Sequence, residues 1–191
     1  MQEHIDYQIE KYQFRARNES PRLMRQWADV MRECRDTGAG ARERLRIALL
    51  NVDYVTSFEL PFRLLLTRTP QMIDSVRREC VYSLQNDLSG VPDSFSYSLA
   101  TRIRRVDSYG MTTRCFTDIA GQVKAPTARL KLALESGLIV TALDGLFWLG
   151  IQRIAADVQR LRQSGMTIIT RDVEVSDSLT GTTRVVSGYS L

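Results

Sequence analysis

Lysine is nearly missing from this 191-residue chain: of its 26 basic residues only Lys11, Lys124 and Lys131 are lysine, and the rest are arginine. Histidine occurs once, as His4, in a polar N-terminal stretch where a frayed end is expected. A single histidine removes Ser-His-Asp and Cys-His nucleophile arrangements and any histidine-based zinc site. Cys34, Cys80 and Cys115 are odd in number, far apart and form no CxxC pair, which argues against a disulfide framework and fits a reducing compartment. Neither GxxxxGK[ST] nor GxGxxG occurs, so no phosphate-cradling loop is visible, and Asp and Glu are scattered without the spacing of a two-metal site. These absences point away from an enzyme and from any cofactor. No apolar run approaches the roughly 20 residues of a membrane span. The N-terminus lacks the basic start and apolar core of a secretory leader, so a cytoplasmic protein without membrane contact is expected.

The composition that remains is globular, 43% hydrophobic and 25% charged, and the length suits one large domain or two small ones. The net charge is +4. Arginine's planar fork matches phosphates and guanine edges, although a GC-rich coding sequence produces the same bias.

Along the chain, residues 1–40 form an N-terminal helical segment. Ile5, Ile9 and Tyr12 have helical spacing, and Ser20-Pro21 starts a helix that carries Leu23, Trp27, Val30, Met31 and Cys34 on one face. Its charges balance, so it is not a phosphate-binding arm; it packs on its own chain or pairs two subunits. Residues 41–111 follow as helix, a second helix capped by Thr56, a third helix over 67–80, a strand at 81–84, a turn-rich loop at 86–93 and a return strand over 95–106. Residues 112–127 read as a linking helix with Phe116, Ile119, Ala120 and Val123 in register. In 128–191, Gly137 ends a first helix and Thr141 caps a second, with Asp144 completing a capping box. Gly150 marks a turn, Ile151 to Ser164 is a third helix closed by Gly165, and two strands join through a turn at 176–181.

The blocks 41–111 and 128–191 are related. Sliding 129–162 back by 85 residues places Arg129-Leu130 on Arg44-Leu45, Val140-Thr141 on Val55-Thr56, Phe147 on Phe62 and Arg153 on Arg68. The order of helices and strands is that of a winged helix-turn-helix. The expected fold is therefore mainly α with small β-wings: two tandem winged helix-turn-helix domains after an N-terminal helical segment.

In that arrangement the third helix enters a major groove. Periodicity turns Ile151, Ile154, Ala155, Val158 and Leu161 inward and Gln152, Arg153, Ala156, Gln159, Arg160 and Gln163 outward, with Thr141 at the preceding cap. Arginine pairs with guanine and glutamine with adenine, which suits base readout; an ordinary solvated helix face also carries such residues. In the earlier block Arg68, Gln71, Ser75 and Arg78 occupy matching positions, but Asp74 opposes phosphate, so that block contacts DNA or serves dimerisation. Arg171 and Arg184 in the later wing, and Arg102, Arg104 and Arg105 in the earlier one, are candidate phosphate or minor-groove contacts, or charges that guard strand edges. Trp148 reads as a core or interface aromatic.

The residues Leu149-Gly150-Ile151-x-Arg153-Ile154-Ala155, Val158-x-x-Leu161-Arg162-x-x-Gly165-x-x-Ile168 and Tyr189-x-Leu191 resemble a short winged helix-turn-helix family found in bacterial phage and plasmid proteins. The resemblance implies double-stranded DNA binding through the third helix and a mobile-element origin. The earlier block departs from it, with Leu65-Leu66-Thr67 for Gly-Ile-Gln and Cys80 for Gly165. Three roles follow as expectations. The first is a sequence-specific transcriptional regulator, homodimeric through the N-terminal helices or the first winged-helix unit. The second is a plasmid or phage replication or partition protein. The third is a winged-helix interaction subunit that touches no DNA.

Overall fold

The computed structural model describes residues 3–56, 58–77, 97–108 and 110–191; for Lys11, Arg77, 97–101 and Met111 it describes the backbone alone. The elements in chain order are β1 (His4–Ala16), α1 (Pro21–Asp36), α2 (Ala41–Asn51), α3 (Glu59–Arg63), α4 (Thr69–Arg77), β2 (Tyr97–Asp107), β3 (Gly110–Met111), α5 (Thr113–Gln122), α6 (Pro126–Glu135), β4 (Val140–Thr141), α7 (Ala142–Asp144), a π-helical turn (Gly145–Leu149), α8 (Ile154–Gln163), β5 (Ile169–Asp177) and β6 (Thr183–Ser190). The expected strand at 81–84, the loop at 86–93, Cys80 and Arg78 lie outside the described residues.

The chain divides into two compact units. One comprises Met1–Gln8, Ile103–Ser178 and Thr183–Leu191; the other comprises Ile9–Arg102 and Leu179–Thr182. This boundary runs through both long strands, so the expected block of 1–40 is shared between the units.

In the unit that holds the C-terminus, the strand order is β3-β2-β1-β5-β6-β4. β5 and β6 form an antiparallel hairpin from Ile169↔Ser190 to Ser176↔Thr183, and β1 adds to β5 in parallel from His4↔Glu174 to Tyr7↔Asp177. The expected N-terminal helix is thus a strand. Ile5 and Tyr7 alternate inward beside polar neighbours, which is a period of two. His4 is held by this pairing, with its Nδ1 2.8 Å from Glu174 Oε1, rather than in a frayed end. With strands of 13 and 11 residues, the protein is mixed helix and sheet instead of mainly α with small wings. The core of this unit joins Phe116 and Ile119 of α5 to Leu130, Ala133 and Leu134 of α6, Ile154, Val158 and Leu161 of α8, and Tyr189 of β6.

In the other unit Ser20 caps α1 by accepting from Leu23 N at 3.1 Å, and Pro21 occupies the first turn. The apolar stripe Leu23, Trp27, Val30 and Cys34 packs with Leu45 and Ala48 of α2, Leu60 of α3 and Val76 of α4. That stripe is therefore used within its own chain.

Local geometry recurs at the 85-residue spacing. Thr56 N donates to Glu59 Oε2 at 2.9 Å while Glu59 N donates to Thr56 Oγ1 at 3.2 Å. Thr141 and Asp144 make the same reciprocal pair at 2.8 and 3.3 Å. Leu66 N reaches Leu60 O at 3.4 Å, and Ile151 N reaches Gly145 O at 2.8 Å. Between them, Gly150 takes φ 72° and Leu65 takes φ 51°. The left-handed conformation suits glycine and costs a leucine about 1–2 kcal/mol. Leu65 adopts it in a run where Leu64, Leu65 and Leu66 are all buried.

Candidate nucleic-acid interface

The surface of interest is built by α8. Its sequence IAADVQRLRQ places Ile154, Val158 and Leu161 in the core, a spacing that fixes the rotation of the helix. Gly165 stops it in the left-handed conformation at φ 97°, and Met166 N closes back on Leu161 O at 3.1 Å. The exposed residues are Ala155, Ala156, Gln159, Arg160, Arg162 and Gln163 on the helix, with Gln152 and Arg153 in the turn ahead of it. Ala155, expected inward, faces outward because it falls beside the buried stripe that begins at Ile154. The two alanines leave a shallow strip between the longer glutamines and arginines.

Two ties hold α8 in place. Asp157 accepts from Thr127 Oγ1 of α6 at 2.5 Å and from Arg160 Nη1 at 3.0 Å. Arg162 donates to Ile168 O at 2.7 Å and to Thr170 Oγ1 at 2.8 Å, which fastens the helix end to β5. Both arginines are exposed, but the guanidinium of Arg162 is thereby tied to the fold at two points, whereas that of Arg160 pairs only with Asp157 on its own helix among the described residues.

The same unit holds a buried ionic cluster centred on Asp144 and Arg105. Asp144 is fully buried and accepts from Thr141 N, from the Tyr7 hydroxyl at 2.8 Å and from Arg105 Nη1. Arg105 is 1% exposed; it also donates to Ile139 O at 2.8 Å and lies over the Phe116 ring at 5.1 Å. Burial lowers the proton affinity of Arg105, but the facing Asp144, then Tyr7 and Asp107, raise it by more, so the guanidinium stays charged. Burial first, then the Asp144 carboxylate, pushes the Tyr7 hydroxyl well above its ordinary range, against the pull of Arg105. Trp148 stacks on Phe116 at 5.3 Å, so it is a packing aromatic of this unit.

This cluster corrects two expected DNA contacts. Arg105 is the counter-ion of a buried carboxylate and Thr141 is a fully buried cap, so neither side chain reaches the surface. The wing arginines are engaged as well. Arg184 Nη1 lies 2.7 Å from Asp177 Oδ2, and half-buried Arg171 lies 3.4 Å from Glu3 Oε1. Asp172, Glu174 and Asp177 outnumber the two arginines along the hairpin, which makes this wing a poor phosphate grip. Arg102 is exposed with Glu10 at 3.7 Å, and Arg104 is exposed. In the other unit Arg68, Gln71 and Asp74 are exposed at the start and middle of α4, and Ser75 Oγ donates to Met72 O at 2.7 Å.

From α6 onward the chain runs through helix, a left-handed turn at Gly150, α8 and the β5–β6 hairpin. Residues 127–191 match the winged helix-turn-helix domain family. This winged-helix domain covers the C-terminal third of the chain and includes α6, α7, the π-helical turn, α8, β5 and β6. Neither curated proteins nor solved structures match the chain. A winged-helix domain of this kind points to DNA binding. Among the described residues no cluster of His, Cys, Asp and Glu is arranged to hold a metal ion, and no helix is long and apolar enough to cross a membrane.

Proposed function

We propose that the chain is a sequence-specific DNA-binding protein that regulates transcription and reads a major groove with α8 of its winged-helix domain. The observation that supports this reading is the exposed Gln159, Arg160 and Gln163 on α8 around Ala155 and Ala156, with exposed Gln152 and Arg153 in the turn ahead of it, inside the part of the chain that matches the winged-helix family. Glutamine and arginine are the side chains that pair bidentately with adenine and guanine, and the alanines permit the close approach such pairs need. Arg102 and Arg104 are secondary candidates for phosphate contact.

The recurrence of the capping box, the left-handed residue and the main-chain closure supports a second winged-helix unit in 41–111. Its α4 presents Gln71, with Arg68 just ahead of it, but also Asp74, so base readout is proposed for α8. Selection of the full-length chain against randomised duplexes tests the proposal. The expected result is an enriched motif whose preference at one base pair relaxes by about 1–3 kcal/mol in Gln159→Ala. Enrichment of no motif would overturn it. A single palindrome near a promoter supports transcriptional control, whereas iterated copies at an origin would support replication or partition.

A further inference from the structure

Arg153 and Arg160 are both exposed, but only one of them is held. Arg160 Nη1 donates to Asp157 Oδ1 at 3.0 Å, whereas Arg153, in the turn ahead of α8, has no ion-pair partner among the described residues. A surface pair three residues apart on a helix adds little by itself, because both side chains must be ordered to form it. This pair differs in that one member is already ordered. The Asp157 side chain is 13% exposed against 67% for Arg160. The Thr127 hydroxyl of α6 donates to the same Oδ1 at 2.5 Å. The two helices also share one core, in which Leu130, Ala133 and Leu134 of α6 join Ile154, Val158 and Leu161 of α8. A chain of bonds therefore runs from α6 through a shielded carboxylate to a guanidinium on the outer side of α8. An acid in the first turn of α8 also suits the helix dipole, but that role requires neither the Thr127 bond nor Arg160.

A guanidinium carries five N–H donors, and Asp157 takes one of those on Nη1. The Nε–Nη2 edge stays free, and such a two-donor fork matches O6 and N7 of guanine. The pair is close to neutral, so Arg160 draws phosphate less than a lone arginine does. A guanine edge depends instead on donors that are already in place. Resting on the assignment of base readout to α8, we infer that Asp157 is a positioning residue: it holds Arg160 for a guanine edge and restrains it from phosphates. Its presence raises discrimination between sequences and lowers indiscriminate affinity.

The test uses the full-length chain and Asp157→Asn, which keeps the shape of the side chain and removes its charge. Duplex selection is read at the base pair whose preference relaxes in Arg160→Ala. Ordering a rotamer-rich side chain at an interface weakens binding by about 2–10-fold, so preference at that base pair should fall by about that factor in Asp157→Asn, with the other positions unchanged. Affinity for a duplex lacking the motif should rise by about twofold or more and fall more steeply with salt, because a released Arg160 reaches phosphate. Asp118→Asn, which removes the same charge from the Arg114 pair on α5, should leave the preference as it is in the parent. In the DNA-free chain, ¹⁵N relaxation of the Arg160 Nε–H should show an ordered side chain that gains mobility in Asp157→Asn and in Thr127→Val. If Asp157 serves stability alone, the urea midpoint of Asp157→Asn shifts while base preference stays at the parent value, and that result overturns the inference. An Arg160 side chain as mobile in the parent as in both variants would also overturn it. Enrichment of no motif by the parent would remove the DNA reading itself, whereas a parent motif retained unchanged in Asp157→Asn would defeat the positioning role alone.

Discussion

Arg105→Ala separates a buried structural arginine from a DNA contact. The native side chain is 1% exposed and bonded to Asp144, which is itself fully buried. Truncation leaves the Asp144 carboxylate with only the Thr141 amide and the Tyr7 hydroxyl for support. It also removes the bond to Ile139 O and the guanidinium over Phe116. Breaking one side of a buried pair costs about 3–5 kcal/mol, against roughly 0.5 kcal/mol for a surface arginine. Total stabilities are about 5–15 kcal/mol, so the variant loses a large share, and its Tm falls by about 10 °C or more. The assay is urea denaturation followed by circular dichroism, with Arg104→Ala as the exposed neighbour on the same strand. Replacing both partners, Arg105→Met with Asp144→Leu, recovers most of the loss because no charge is left stranded. A loss below about 1 kcal/mol for Arg105→Ala, accompanied by a tenfold fall in DNA affinity, would refute the reasoning.

Three further outcomes follow from the same geometry. The Tyr7 hydroxyl keeps its proton in the folded chain above the pH at which the unfolded chain releases it, so stability falls as pH rises past about 10, by up to about 1.4 kcal/mol per pH unit. Tyr12, half-buried and raised in the same direction by burial against the pull of Arg63, adds to that slope. Urea midpoints for Tyr7→Phe should be flatter than those of the parent between about pH 9 and 11, and an identical slope would count against the buried hydroxyl. Gly150→Ala places a Cβ in the left-handed region at φ 72° and should lose about 1–2 kcal/mol in thermal or urea melts; an unchanged midpoint would show that the turn does not need that conformation. Gly188→Ala sets a Cβ 2.6 Å from Val173 Cγ2 and 2.9 Å from Ile139 Cγ2, and should cost about 1–3 kcal/mol by overpacking. Wild-type stability in that variant would mean that Val173 and Ile139 have room to give way.

The C-terminal architecture was legible because its signals are local. Thr141 and Asp144 form the reciprocal cap that their spacing implied, and Gly165 ends α8 in the conformation that favours glycine. Ile154, Val158 and Leu161 point inward as their periodicity required. The N-terminal strand was misread because Ile5, Ile9 and Tyr12 satisfy helical spacing. The buried set is Ile5 and Tyr7, then Phe14 and Ala16, and the alternation changes phase between them, which conceals the period of two. The sequence does carry a signal for Arg105. Along β2, Arg102 and Arg104 are exposed while Ile103 and Arg105 are buried, so strand alternation places Arg105 with isoleucine and away from its fellow arginines. Its partner Asp144 lies 39 positions on and Tyr7 is farther still, and no local pattern announces a cluster assembled from such distances.

The central claim is that α8 carries the DNA contact, and the most direct measurement is duplex affinity against salt for the full chain and for Arg153→Ala with Arg160→Ala. Both arginines are exposed, so the variant should melt within about 0.5 kcal/mol of the parent. The account predicts a linear fall of log K with log salt for the parent, and for the variant weaker binding with a slope smaller by about one per phosphate contact removed. Unchanged affinity and slope in the stable variant would contradict it.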